Sequence, residues 1–159
     1  MDDADAATAF MRLAIALSER AMAEGTGFPF GAVVVRDGAV LAEGYNQVFA
    51  DNDPTAHAEV VAIRRACERV GSPVLDGCTI YTSGEPCPMC LGAIYWAGIE
   101  KIYYANDLAT SAAAGFGDSR LYREAALPRT ARAIPSAQLL ADEGRAAFDA
   151  WQARSRGRS

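Results

Sequence analysis

Two stretches, Thr55-Ala56-His57-Ala58-Glu59 and Glu85-Pro86-Cys87-Pro88-Met89-Cys90, decide the fold that this 159-residue sequence predicts. Each follows a predicted strand, and an apolar pattern with helical spacing follows each. Pro88 suits the first turn of a helix, where its missing N–H leaves no hydrogen bond unmade. Each stretch is therefore predicted to bring reactive side chains to the start of a helix.

Working outward from these stretches, helices and strands alternate along the chain. Helices are predicted over 8–24, 55–70, 89–97 and 141–153, and strands over 33–35, 40–41, 78–82 and 102–104. The order predicts an α/β fold, a three-layer αβα sandwich whose mixed central sheet carries helices on both faces. We expect a single domain over 1–159, with 141–159 as a C-terminal helix and tail. The Arg-rich end, 154–159, is expected to be irregular.

Composition narrows the class of partner. The net charge is −5, whereas proteins that hold a phosphate backbone usually present a basic face. This balance favours a small substrate and disfavours nucleic acid. No apolar run reaches the ~20 residues of a membrane helix, and the acidic start of the chain does not fit a signal peptide. We expect a cytoplasmic protein with no membrane partner.

Three side chains form a candidate metal site. Cys87 and Cys90 lie three residues apart at a helix start, so their sulfurs face the same way, and His57 begins another helix. If the two helix starts meet, two thiolates and one imidazole converge, which leaves a tetrahedral zinc with one open position, as in catalytic sites. Glu59 lies two residues from His57 and is placed to act as a general acid and base.

Other interpretations of these motifs explain less. A redox Cys-x-x-Cys pair would leave His57-Ala58-Glu59 without a role. A lone histidine at a helix start is often structural. A closed structural zinc site needs a fourth ligand, and neither Cys67 nor Cys78 is placed in the sequence to supply it.

The combination of H-x-E with P-C-x-x-C is the signature of zinc-dependent nucleobase deaminases. Beyond that signature, the chain resembles the bacterial guanine deaminases of the cytidine-deaminase superfamily. The segments that carry the resemblance are Pro29-Phe30-Gly31-Ala32-Val33, Asn52 to Glu59, Glu85 to Trp96, and Ala114-Gly115-Phe116-Gly117-Asp118-Ser119. The zinc motif is common to the superfamily, and the Gly-Phe-x-Asp-Ser loop points to guanine.

The resemblance implies one zinc ion per subunit and a homodimer in which the C-terminal segment can cross to cover the partner's active site. It also implies that Asn46 and Asp118 bind substrate. Phe30 is a candidate to stack on the ring, and Glu124 is a second acid that could reach the leaving amine. Structural roles stay open for all four: Asn46 as a turn cap, Phe30 as core, Asp118 as a helix cap and Glu124 as a surface acid.

Two positions depart from the family pattern. Gly84 stands where the family pattern has cysteine in Ser-Cys-Glu-Pro-Cys, which is expected to alter packing near the zinc. The chain also ends without the terminal tyrosine that the resemblance associates with closure of the active site. Glu143, Phe148 or Trp151 would have to contribute to closure instead.

Three functions fit the sequence. The first is zinc-dependent hydrolytic deamination of guanine to xanthine and ammonia. The second is the same chemistry on guanosine, on a triazine such as ammeline, or on adenosine in transfer RNA. The third is a zinc-stabilised domain without catalysis, which would leave Glu59 beside the metal site without a chemical role.

Overall fold

The structure, a computed structural model, describes residues 3–156. The chain divides after Leu121 into two compact units. The first contains the helices α1 (Asp3–Ala23), α2 (Ala58–Val70), α3 (Pro88–Trp96) and α4 (Leu108–Ala113) and the strands β1 (Gly31–Arg36), β2 (Ala39–Tyr45), β3 (Cys78–Gly84) and β4 (Lys101–Asn106). Helix α5 (Ser119–Ala126) spans the division, and the second unit continues with a 3-10 turn (Arg129–Ala131) and α6 (Ala141–Arg156).

The four strands form one mixed sheet in the order β2-β1-β3-β4. β1 pairs antiparallel with both β2 and β3, and β3 pairs parallel with β4. The β1–β2 hairpin turns at Asp37 and Gly38, whose φ angles of 51° and 72° are those of a type I′ turn. The parallel pair is joined through α3, as parallel strands require a crossover.

Alternate residues of β1 face opposite sides of the sheet, as the two-residue period of a strand dictates. Val33 and Val35 pack against α1, whereas Ala32 and Val34 pack in the core that α2 and α3 cover. Helices therefore lie on both faces of the sheet, and the predicted three-layer arrangement is confirmed.

Two glycines let helices approach the sheet closely. A Cβ at Gly31 would overlap the backbone of α1 at Ala14, and a Cβ at Gly44 would overlap the backbone of α2 at Ala58. Since α2 begins beside Gly44, this contact fixes the distance between the sheet and the start of the helix that carries His57.

Several helix boundaries differ from the sequence prediction, and α1 already begins at Asp3 rather than at residue 8. Helix α2 begins at Ala58 rather than at residue 55, because the Asp53 carboxylate accepts the Thr55 N–H at 2.8 Å and holds 53–55 in a turn. Helix α4 was not predicted. Helix α6 continues through Arg156, so the expectation of an irregular end is wrong for 154–156, and 157–159 lie outside the described residues.

The second unit, taken by itself, buries little. Glu124 is partly buried, and the other described side chains are exposed, including Leu139, Leu140, Phe148 and Trp151. Within the part of the chain that the structure describes, no helix combines the length and apolar character needed to cross a bilayer.

Candidate active site

His57 occupies the N-cap position of α2, with extended backbone angles. The loop before it is tied in place, because Gln47 donates its N–H to the Ala56 carbonyl at 3.0 Å. Arg64 on α2 lies 3.4 Å from the Asp53 carboxylate at the tip of the same loop. The imidazole is therefore carried by a short, braced segment between β2 and α2.

Cys87 occupies the N-cap position of α3, directly before Pro88. It lies just beyond the carboxyl end of β3, the sheet edge at which α/β folds commonly bind ligands. Cys90 lies in the first turn of α3 and is fully buried. Two helix N-termini thus point at one place, where their dipoles favour negative charge.

The three predicted ligands meet at this place. Nδ1 of His57 lies 3.7 Å from Sγ of Cys87 and 3.4 Å from Sγ of Cys90. A tetrahedral zinc with a Zn–S distance of about 2.3 Å and a Zn–N distance of about 2.0 Å separates nitrogen from sulfur by roughly 3.6 Å. The observed separations bracket that value, so the donor set fits zinc.

Among residues 3–156, the group of side chains that could hold a metal consists of His57, Cys87 and Cys90. Cys67 and Cys78 lie elsewhere, in and against the core that packs on α2 and β3. A set of three protein ligands is typical of catalytic zinc, because structural zinc usually has four.

The electrostatics of the cluster suit a cation. The Cys90 thiol and the His57 ring both donate toward the Cys87 sulfur, which lowers the pKa of Cys87 to about 4. The hydrogen bond from Cys90 to Cys87 raises the pKa of Cys90. The hydrogen bond from His57 to Cys87 raises the pKa of His57. A metal ion that binds these three side chains replaces the protons that they share, so the affinity of the site for the metal depends on pH.

Glu59 lies in the first turn of α2, with 7% of its surface exposed. Burial is the main cause that raises the pKa of its carboxyl group, which also interacts with the neighbouring Cys90 thiol. A buried carboxyl group with a raised pKa beside the metal ligands is suited to take up and return a proton.

A pocket of about 210 Å³ opens onto the cluster. Its lining includes the predicted residues Phe30, Asn46, His57, Glu59, Cys87 and Asp118. This volume lies below the ~300–1,000 Å³ range of pockets for drug-sized ligands, which favours a small ligand.

Asn46 is 1% exposed and fixed in orientation. Its Oδ1 accepts the backbone N–H groups of Phe28 at 3.1 Å and Val48 at 3.2 Å. The turn-cap interpretation is therefore confirmed. Because Oδ1 is committed to these two backbone N–H groups, Nδ2 is the part of the amide that a ligand in the pocket can use.

Asp118 lies directly before α5 and is one of the residues that line the pocket. Partial burial raises its pKa, with smaller contributions from Cys87 and Glu85. Glu124, the second predicted acid, lies in the second unit, where its carboxylate accepts the Ala133 N–H at 2.8 Å. Its contact with substrate stays a prediction.

Sequence reasoning missed part of the pocket wall. The added lining residues are Phe28, Glu85, Leu108, Ser111, Phe116 and Leu121. Leu108 and Ser111 belong to α4, whose N-cap Asp107 accepts the Thr110 N–H at 2.8 Å. That Asp-x-x-Thr spacing was the available signal for the helix. Glu85 anchors α4 through the Leu108 N–H at 3.1 Å.

Known proteins that resemble this chain belong to a family with a zinc-binding site, in agreement with the ligand set described above. Residues 4–106 match the family model described as the cytidine and deoxycytidylate deaminase zinc-binding region. The match spans more than half of the chain, which therefore belongs to this family of zinc-dependent deaminases and has its fold.

Individual relatives differ in how much of the chain they match. The guanine deaminase of Bacillus subtilis (strain 168) is 50% identical over 143 residues, which cover 90% of this chain and 92% of the relative. An X-ray structure of guanine deaminase from Bacillus subtilis has a TM-score of 0.89 at 48% identity and covers 96% of this chain and 94% of its own. A tRNA-specific adenosine deaminase of Agrobacterium fabrum is 45% identical over 61% of this chain and 63% of the relative.

The site predicts one zinc per chain. Replacing Cys87 by serine removes a thiolate ligand, so we expect zinc content, measured by mass spectrometry of dialysed protein, to fall well below that of the wild type. Cys67→Ser is the matched control, since that cysteine lies outside the cluster, and it should keep the wild-type content. Equal zinc in both variants would remove Cys87 from the ligand set.

Proposed function

We propose that this chain catalyses the zinc-dependent hydrolytic deamination of guanine to xanthine and ammonia. The observation that carries the proposal is a buried Glu59 beside a set of three zinc ligands, at the floor of a pocket lined by Asn46 and Asp118. The likeness to guanine deaminase continues well beyond the zinc motifs, over 90% of the chain. The likeness to the transfer-RNA enzymes covers about three fifths of it.

His57, Cys87 and Cys90 would hold the zinc. When bound, zinc supplies Lewis acidity, which lowers the pKa of a water molecule to about 7. Hydrolysis joins the oxygen of a water molecule to C2 of guanine and breaks the bond between C2 and the exocyclic nitrogen. Glu59 takes one proton from the water and passes it to the unprotonated ring nitrogen beside C2. It then carries the second proton, from the hydroxyl group now on C2, to the exocyclic amine, which leaves as ammonia while C2 becomes a carbonyl.

The pocket residues orient the ring. The Asp118 carboxylate accepts hydrogen bonds from N–H groups of guanine, and Nδ2 of Asn46 donates to an acceptor on the ring. Phe30, Phe28 and Phe116 supply apolar surface, of which Phe30 is the predicted stacking residue. These contacts favour a flat heterocycle that carries both donors and acceptors.

The direct test is release of ammonia by zinc-loaded protein. The substrates are guanine, guanosine, adenine, cytosine, cytidine and ammeline. We expect guanine to give the highest kcat/KM. In Glu59→Gln, turnover should fall by at least the roughly 10²–10⁴-fold that general acid–base catalysis supplies, while zinc content and fold persist. Preference for another base would replace guanine as substrate, and normal turnover by Glu59→Gln would remove its catalytic role.

Asp118→Asn tests recognition apart from chemistry. The amide keeps the shape of the side chain but loses the charge that accepts the guanine donors, so we expect KM to rise roughly 10- to 100-fold with zinc retained. Asp51→Asn, an exposed change on the loop before α2, should behave like the wild type. Unchanged KM in Asp118→Asn would place Asp118 outside the recognition of guanine.

We also propose a cytoplasmic homodimer in which α6 helps to cover the active site of the partner subunit. Support comes from large apolar side chains that a monomer leaves in water. Trp96 on α3 is 91% exposed, and Phe148 and Trp151 on α6 are 72% and 70% exposed. Phe148 and Trp151 lie three residues apart on α6 and so share one face of that helix, and an exposed apolar face of this kind commonly marks a contact surface.

Light scattering should give about twice the 16.8 kDa chain mass. A double variant, Phe148→Ala with Trp151→Ala, should lose activity. Mixing it with Glu59→Gln under subunit exchange should restore activity, because an intact site in one subunit then meets an intact α6 from the other. A monomer mass, or no restoration after verified exchange, would contradict the exchange of α6.

A further inference from the structure

Helix α4 and the loop after it form one wall of the pocket. Leu108 and Ser111 of the helix, and Phe116 and Asp118 of the loop, are lining residues. These four side chains are partly buried, whereas the other residues of 108–118 are exposed. The helix has only six residues and no buried side chain. Packing alone therefore fixes this wall less firmly than it fixes α2 and α3, which both contain buried residues.

Hydrogen bonds connect the start of α4 to the end of β3. Glu85 follows β3 directly, and its N–H donates to the Asn106 carbonyl at 2.7 Å. Nδ2 of Asn106 donates to the Ser83 carbonyl at 3.0 Å. These two bonds reach the last residue of β4. The Glu85 carboxylate reaches further, because its Oε2 accepts the N–H of Leu108, the first residue of α4, at 3.1 Å.

The position of α4 decides the position of the loop that carries Asp118. The Ser111 carbonyl on α4 accepts the Phe116 N–H at 2.9 Å. The Phe116 ring then packs edge-on against Phe30, with centroids 5.2 Å apart. Asp118 follows Phe116 by two residues. A shift of α4 therefore moves both the aromatic ring and the carboxylate relative to the metal site.

We propose that Glu85 is a positioning residue, which holds α4 through Leu108 and so places Asp118 at the distance from the metal site that bound guanine requires. The proposal rests on the guanine deamination proposed above and deepens it. Only Pro86 separates Glu85 from the metal ligand Cys87. One short segment at the end of β3 thus supplies a zinc ligand and locates the substrate wall. The role requires an acceptor atom rather than a charge, because the Leu108 partner is a neutral backbone amide.

Two substitutions separate the hydrogen bond from the charge. Glu85→Gln keeps a carbonyl oxygen that can accept the Leu108 N–H but removes the charge, whereas Glu85→Ala removes both. We expect Glu85→Ala to raise KM for guanine roughly tenfold, as the loss of one hydrogen bond to a charged group predicts. Because Glu59 and the zinc ligands do not lie on α4, zinc content should be retained and kcat should change much less. Glu85→Gln should keep KM within about threefold of the wild-type value.

Action through Asp118 also predicts that the two positions are coupled. In the Asp118→Asn background, Glu85→Ala should raise KM much less than it does in the wild type. Hydrogen–deuterium exchange gives a readout that needs no substrate. The backbone amides of 107–116 should exchange faster in Glu85→Ala and at the wild-type rate in Glu85→Gln, while the amides of α2 stay unchanged in both.

Glu100→Ala is the matched control. The Glu100 carboxylate also accepts a backbone N–H, that of Gly77 at 2.8 Å, but it lies directly before β4, at the opposite end of the sheet from Glu85. Removing it should leave both KM and the exchange of 107–116 at wild-type values.

The inference is overturned if Glu85→Ala acts like Glu100→Ala, if its effect on KM is equal in both Asp118 backgrounds, or if zinc and activity are lost together. It is also overturned if Glu85→Gln acts like Glu85→Ala, since the charge that contributes to the raised pKa of Asp118 would then be the cause. Failure of the proposed function would instead show as absent guanine turnover in the wild type, and the exchange result would still report on the connection between Glu85 and α4.

Discussion

The meeting of two helix N-termini at the carboxyl end of β3 is the constraint on which the rest of the molecule depends. It places Nδ1 of His57 within 3.7 Å of both cysteine sulfurs. The sheet makes this possible, because Gly44 lets the start of α2 approach β2 and the crossover through α3 returns the chain beside β3. Charge, ligand geometry and access to the pocket all follow from that convergence.

The metal site and the substrate wall are built from different parts of the chain. The metal ligands and the buried carboxyl group of Glu59 lie at the starts of α2 and α3. The pocket beside them is lined by Phe28, Phe30, Phe116 and Asp118. Glu85 connects the two parts, because it follows β3 directly and binds the start of α4. Substrate choice can therefore vary while the hydrolytic machinery stays the same.

Local signals predicted most of the framework. The Asp37-Gly38 pair marked the hairpin, and Pro88 marked the start of α3. The metal ligands were found because their residue types and spacing carry the chemistry without reference to the fold. Features that arise from contacts between residues far apart in the sequence could not be predicted from local patterns. The Oδ1 of Asn46 is committed to two backbone N–H groups, and Phe30 meets Phe116 only after the chain closes around the pocket.

The capping arrangement of α2 and α3 has a consequence for the folding of the chain. His57 and Cys87 stand where a serine or aspartate would satisfy the first amides of a helix, and each turns its side chain toward the other instead. A bound ion would thus link two helix ends that have no side-chain cap of their own. Removal of the ion by a chelator should therefore unfold the first turns of α2 and α3 before the rest of the fold, so that metal loss is coupled to partial unfolding.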